Sequence, residues 1–376
     1  MLKVKSQVRM KTPVPARGVL IFGGAGFIGS NWARYLLTKT ELRVQVFDNL
    51  TRRGVRHNLE ALQKVAGHSG QLKITIGDIR DSELVNEAVS SADEIYHFAA
   101  QVAVTSSVGD PRFDFDVNVG GTINILEAAR KTGRRPLLVF TSTNKVYGHL
   151  DSYRVSFTSS RCDFAAMEAI SESQPLDFYS PYGCSKGAAD QYVHDYARIY
   201  GIPTVVFRMS CIAGPSQFGN EDQGWVAHFL YSALGCKAIS IYGDGRQVRD
   251  VLAVQDLVQA FEAVRSHRER VAGHVFNVGG GRKNAISLLE LMDEIREFTG
   301  ITPQYQFHAA RPGDQLVYVT DYSKLQRLTG WRPSMNVRDI IESIYRWWEE
   351  HHGVFDSESL RISPDTAVQQ ISGVAF

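Results

Sequence analysis

A chain of 376 residues with 44% hydrophobic residues is too apolar to be disordered and long enough for one large domain or two modest ones. Its 41 Lys+Arg against 40 Asp+Glu leave a net charge of +1, so bulk electrostatics offers nothing to nucleic acid or an anionic membrane. An anionic ligand needs a local site. No apolar run reaches the roughly 20 residues of a bilayer span, and residues 1–17 have basic residues but no apolar segment of a secretory signal. The four cysteines contain no C-x-x-C pair, so neither disulfide staples nor a metal site is expected, and a reducing cytoplasm fits.

From residue 18 short apolar runs alternate with helix-like segments. Strands are predicted at Gly18–Phe22, Arg43–Phe47, Lys73–Ile76, Glu94–Phe98, Pro136–Thr141 and Thr204–Arg208, with helices at Asn31–Thr38 and near 82–91, 113–132 and 183–200. The strands are Val/Ile/Leu/Phe-rich rather than alternating, as expected when helices cover both faces of a parallel sheet. A doubly wound Rossmann sheet follows. Beyond Arg208, the Gly/Pro/Ser/Asn-rich stretch Gly214–Gly224 marks a loop into a smaller α/β region. Ala253–Val264 reads as a helix, His274–Val278 as a strand returning to the main sheet, Ser287–Thr299 as a helix with a capping box to Glu290, and Val337–Trp348 as a second amphipathic helix. The expected division is an extension at 1–17, a dinucleotide-binding domain at 18–208 and 247–282, an interleaved substrate domain at 209–246 and 283–351, and a tail at 352–376.

Gly23-Gly24-Ala25-Gly26-Phe27-Ile28-Gly29 sits between the first strand and the first helix. Glycines there let the backbone approach a pyrophosphate, and the helix N-terminus supplies N–H donors. Asp48 closes the second strand, where a carboxylate accepts from ribose hydroxyls and repels a 2′-phosphate, which points to NAD rather than NADP. Arg52 and Arg53 are solvated loop charges or cofactor contacts. Asp78, after the third strand, is an acceptor for the adenine amine or a turn residue, and His97-Phe98-Ala99-Ala100-Gln101 ends the fourth strand with the small residues a cofactor crossing requires.

Tyr182 and Lys186 stand at i and i+4, one helical turn apart. A neighbouring cation favours a phenolate that takes a proton from an alcohol as its hydride leaves. Thr143, after the fifth strand, is the favoured hydroxyl for the reacting oxygen, with Ser142 and Thr141 as alternatives.

Together these residues, with Asn118-Val119-Gly120-Gly121-Thr122 and Arg311-Pro312-Gly313-Asp314, resemble the extended short-chain dehydrogenase/reductases that act on nucleotide sugars, over Gly18 to Glu349. Within that group, Ser142–Gly148, Ser180–Tyr192 and Asp222–Val226 look like the CDP-paratose (CDP-tyvelose) 2-epimerases. The resemblance implies a homodimer packed through the helices near 113–132 and 183–200, NAD as cofactor, a CDP-hexose as favoured substrate, and inversion of C2 through a transient 2-keto sugar. It also implies Tyr182 as base, Lys186 as its modulator and Thr143 on the substrate oxygen. Cofactor contacts carry over onto Gly23, Gly26, Phe27, Ile28, Gly29, Asp48, Asn49, Arg52, Asp78, Ile79, Ala99, Ala100, Gln101, Asn118, Thr141, Tyr182 and Lys186. Substrate contacts carry over onto Val104, Thr143, Asn144, Ser210, Gln223, Arg249, Arg311 and Asp314, with the two arginines on the diphosphate.

Two departures matter. Met209–Pro215 replaces the His-Ser-Ser-containing segment of those 2-epimerases, which leaves the base and sugar open. Asn144-Lys145 stands where a 4,6-dehydratase carries Asp-Glu for elimination, which argues for epimerisation. A UDP-hexose 4-epimerase is the alternative, and a catalytically silent NAD-binding regulator a more distant one.

Overall fold

The structure, a computed structural model, describes residues 17–311 and 313–356; residues 1–16, Pro312 of the Arg-Pro-Gly-Asp motif and 357–376 lie outside the described residues. The strands in chain order are β1 Gly18–Phe22, β2 Arg43–Asp48, β3 Leu72–Ile76, β4 Glu94–His97, β5 Leu137–Thr143, β6 Val155–Phe157, β7 Cys162–Phe164, β8 Thr204–Met209, β9 Cys211–Ala213, β10 Ile239–Tyr242, β11 Val248–Ala253, β12 His274–Val278, β13 Ala285–Ser287, β14 Tyr305–His308 and β15 Val317–Tyr318.

Seven of them form one parallel sheet in the order β12-β8-β5-β4-β1-β2-β3. The chain reverses its direction of travel between β1 and β4, and ligands of doubly wound sheets bind at the carboxyl ends beside such a reversal. The apolar runs explain the sheet: all seven residues of β5 are buried, which requires cover on both faces. One face packs against the helices Phe27–Lys39, Val55–Ala66 and Val254–Ser266, with Trp32, Phe207 and Phe261 in the core. The other packs against Ser82–Val89, Gly121–Lys131 and Ser180–Tyr200, through Phe22, Phe140 and Val206.

A smaller sheet holds β13, β11 and β15, with β9 pairing the far end of β11. Its core includes Val226, Leu230, Ile239, Leu291 and Ile344. Thus β11 lies in the small sheet although β12, next along the chain, lies in the large one. The capping box is present: Ser287 Oγ accepts from the Glu290 N–H at 3.0 Å and Glu290 Oε2 accepts from the Ser287 N–H at 3.0 Å.

Two expectations change, and some elements have no counterpart among them. The helix predicted near 113–132 is broken: Pro111–Phe115 runs through a π-helical turn, Asp116–Gly120, into Gly121–Lys131. The helix predicted to end at Trp348 continues to Asp356. Val55–Ala66 and Trp225–Leu234 are further helices, and residues 155–164 form a β6–β7 hairpin pinned by Arg161 to Glu290 at 3.3 Å. Among the described residues no helix is long and apolar enough to cross a membrane.

Candidate active site

The glycine turn fits a dinucleotide by what it leaves out. Gly23 has φ +74°, and a Cβ there would stand 2.6 Å from the Ala99 backbone nitrogen; a Cβ on Gly29 would stand 2.2 Å from the Gly23 oxygen. Gly26 caps the helix Phe27–Lys39 with no side-chain bond, so the leading N–H groups, those of Phe27 and Ile28 among them, have no capping side chain and suit a diphosphate. Asp48 Oδ2 accepts from the Ala25 N–H at 3.0 Å and Oδ1 from the Leu50 N–H at 2.9 Å. Burial pushes its carboxyl up against these bonds. The cradle and its carboxylate fit NAD.

Around this turn the predicted contacts separate into cleft and scaffold. Asn49 donates to Asp78 at 3.2 Å, and Arg80 grips Asp78 through two side-chain bonds at 2.9 and 3.0 Å, which hold that carboxyl below its ordinary range. Ile79 is buried in the core beneath the sheet, over Gly121. Ala99 is bonded to β1 through its N–H, at 3.0 Å from the Phe22 oxygen, with Ala100 half-buried beside it. Asn118 is a clasp inside the protein. It accepts from the Gln101 N–H at 2.9 Å and donates to Gln101 O at 3.1 Å and Ser185 Oγ at 3.0 Å, tying the end of β4 to the helix Ser180–Tyr200.

Arg52 acts on both Asp48 and Tyr182, and its Nη1 also donates to Gln223 Oε1 at 2.5 Å, which links the loop after β2 to the one after β9. Thr105 Oγ1, beside half-buried Val104, donates to Asp222 at 2.9 Å, so the loops after β2, β4 and β9 meet at one mouth.

At the centre, β5 delivers Thr141, Ser142 and Thr143, and the helix Ser180–Tyr200, opened by Pro181 in its first turn, delivers Tyr182 and Lys186. The Tyr182 N–H donates to Ser107 Oγ at 3.1 Å, which fixes that first turn. Burial raises the Tyr182 phenol to about 12; a hydrogen bond with Thr143 opposes this, Asp114 adds to it, and Arg52 opposes it. Lys186 Nζ donates to Thr141 O at 2.7 Å and lies 4.2 Å from the centroid of the Phe140 ring. Burial lowers Lys186 to about 7 against the carboxylates of Asp190 and Asp114. The i, i+4 spacing predicts Lys186 as the cation that favours the phenolate. In the free protein that influence comes from Thr143 and Arg52, because burial leaves Lys186 uncharged in the range where the phenol titrates.

The depressed Lys186 has a consequence for stability. Between about pH 7 and its ordinary pKa of 10.5 the unfolded chain holds a proton that the folded chain does not, so stability rises with pH through that window. Lys186→Met is expected to stabilise the NAD-free protein at pH 7 by on the order of 1–3 kcal/mol, with the gain shrinking toward zero by pH 10. Urea unfolding at the two pH values checks this.

On the far side of the cleft, Arg249 on β11 bonds the Val248 oxygen at 2.8 Å, the Gln315 oxygen at 2.5 Å and Asp314 Oδ1 at 3.1 Å. Arg311 donates to the Glu221 oxygen at 3.0 Å, lies 3.7 Å from Asp222, and stacks its guanidinium 3.7 Å from the Tyr242 ring centroid. Asn144 Nδ2 donates to Gln315 Oε1 at 3.3 Å. Ser210 turns away from this group: its Oγ donates to Asp250, whose other oxygen accepts from the Gly281 N–H at 2.9 Å. That pair joins the two sheets. Lys145, Asp114, Asp190 and Gln315 all touch the site region and were absent from the residues predicted for it. For Asp190 a signal exists in its place one turn beyond Lys186 on the same face, and for Lys145 in its place within the Asn144-Lys145 pair; Asp114 and Gln315 share no pattern.

Residues 20–344 match the family model of GDP-mannose 4,6-dehydratase. The chain belongs to that family of NAD-dependent nucleotide-sugar epimerases and dehydratases. The family's members include the CDP-paratose 2-epimerase of Salmonella typhi, 40% identical over 337 residues that cover 88% of this chain and 98% of that one. Among solved structures, the UDP-glucose 4-epimerase of Thermotoga maritima with UDP-glucose is 28% identical, with TM-score 0.75 over 89% of this chain and 99% of the other. The dTDP-glucose 4,6-dehydratase DesIV of Streptomyces venezuelae, with NAD bound, is 29% identical, with TM-score 0.77 over 92% and 100%. As a member of this family the protein is an enzyme that uses NAD.

Proposed function

We propose that this enzyme inverts C2 of a nucleotide-activated hexose, as a 2-epimerase of the CDP-paratose type. The observation that carries the reading is the pair after Thr143. Asn144 and Lys145 replace the two carboxylates that elimination needs, and both are engaged with 313–315 on the opposite wall. Hydride chemistry remains and dehydration does not. Likeness over nearly the whole length to a 2-epimerase supports C2 and a cytidine nucleotide.

When bound, NAD supplies the acceptor, and then the donor, of the C2 hydride. The chain manages the proton and the oxygen. Thr143 Oγ1 bonds the C2 oxygen, and Tyr182 takes the C2 hydroxyl proton as the C–H bond breaks, then returns it when the ketone is reduced from the other face. Lys186 sits near neutrality; protonated, it favours the phenolate one turn before it. Asp48 holds the adenosine ribose, and Arg249, Arg311 and Asp314 hold the nucleotide diphosphate and ribose. The labour is divided accordingly: the large sheet takes NAD, while the small sheet, whose β11 carries Arg249, takes the nucleotide sugar together with 209–246 and 283–351.

The partner is a second copy. Phe113, Phe115, Tyr192 and Ile199 are exposed at 43%, 51%, 47% and 66% on the helices around 111–131 and 180–200, an apolar face that a homodimer covers. A reducing cytoplasm, where nucleotide sugars are made, suits the four free cysteines.

The test is incubation with CDP- and UDP-hexoses and NMR assignment of the products. Inversion at C2 of a CDP-hexose is expected; interconversion of gluco and galacto isomers with C2 unchanged overturns the reading in favour of a 4-epimerase.

A further inference from the structure

Lys145 leaves the Tyr182 end of the site and crosses to the opposite wall. Its backbone N–H donates to Thr143 Oγ1 at 3.2 Å, which tethers it to the residue that holds the reacting oxygen. Its ammonium lies 3.3 Å from the Gly313 oxygen and 3.5 Å from Asp314 Oδ1. Arg249 reaches the same carboxylate oxygen at 3.1 Å. Burial pushes the Asp314 carboxyl up, but Arg249, Lys145 and Arg311 together hold it below its ordinary range. Two cations thus share one carboxylate, while Arg311 has Asp222 for itself. One more negative charge completes the set.

We propose that Lys145 is a substrate-binding residue whose ammonium takes the sugar-side phosphate of the nucleotide hexose and thereby brings C2 to Tyr182. The inference rests on the reading of the enzyme as a nucleotide-hexose epimerase. Its geometry is the short path from Lys145 to Thr143. The sugar-side phosphate is joined to C1, and C2 is the ring carbon next to C1. A phosphate gripped two residues from Thr143 therefore presents C2 to the Thr143–Tyr182 pair. C4, on the far side of the ring, needs its phosphate anchored further away. Burial lowers Lys145 to about 8 in the free protein, and an arriving phosphate favours its charged form, so it acts as a cation at neutral pH.

The experiment is calorimetric titration of the NAD-loaded enzyme with CDP and UDP, and with the monophosphate of whichever binds more tightly. Lys145→Gln is expected to weaken the diphosphate by about 10- to 100-fold, the loss of one charge-assisted bond, and to change the monophosphate less than about twofold. Lys145→Arg restores most of the diphosphate affinity. NAD content equal to wild type shows that the variants are folded. An unchanged diphosphate affinity in Lys145→Gln, an equal loss for mono- and diphosphate, or no binding of either diphosphate to the wild type overturns the proposal. A wild type that binds CDP but inverts no hexose overturns the functional reading, and with it the positioning of C2, while the contact of Lys145 with the distal phosphate stands or falls by the Lys145→Gln titration alone.

Discussion

Tyr182→Phe is expected to leave the protein folded and loaded with NAD while lowering kcat for epimerisation by about 10³-fold or more, the upper part of the range for a general acid/base. The substitution removes one oxygen from a side chain that is only 9% exposed, and the ring keeps its packing. The backbone bond from residue 182 to Ser107 is untouched. KM should change little, because the phenol contributes to proton transfer rather than to nucleotide binding. Product NMR over hours, with the NAD content of the same sample, checks both halves. A variant within tenfold of wild type contradicts the assignment of Tyr182.

A comparable loss, this time in stability, is expected behind the catalytic helix. Arg208 on β8 grips Asp190 through two bonds of 2.9 Å, with side-chain exposures of 6% and 0%, and reaches the Tyr147 hydroxyl at 3.1 Å. Tyr147 in turn donates to Asn277 at 2.7 Å. Asp190→Asn leaves a buried guanidinium without its carboxylate, which costs about 3–5 kcal/mol. Replacing both partners, as Asp190→Leu with Arg208→Met, removes the stranded charge and should cost much less than the single change. Urea midpoints of the three proteins check the ordering. The single variant should also lower activity, since Asp190 is the carboxylate that most favours a charged Lys186.

The large sheet was legible because its strands are buried on both faces and so read as unbroken apolar runs. Gly18–Phe22 and His274–Val278 were placed to the residue. The small sheet was not: β9, β13 and β15 have two or three residues, carry no period and exist through pairing with β11, and the buried six-residue β11 itself has no counterpart among the expected strands. The break at Asp116–Gly120 leaves no mark on the helical period; within it the Asn118 amide bonds Gln101 and Ser185 at once. In the site, Tyr182, Lys186 and Thr143 stood out through spacing and position after a strand. What spacing could not supply was direction. Lys145 follows Thr143 in sequence but spans the cleft to Asp314, and Arg52, beside Asp48 and Tyr182, also reaches Gln223.

The most direct test of the account uses a CDP-hexose carrying deuterium at C2, incubated with the enzyme in ordinary water and followed by NMR. The account predicts an inverted C2 that keeps its deuterium, because the hydrogen leaves and returns within one closed site. Deuterium replaced by solvent hydrogen at C2, or inversion at another carbon, would contradict it.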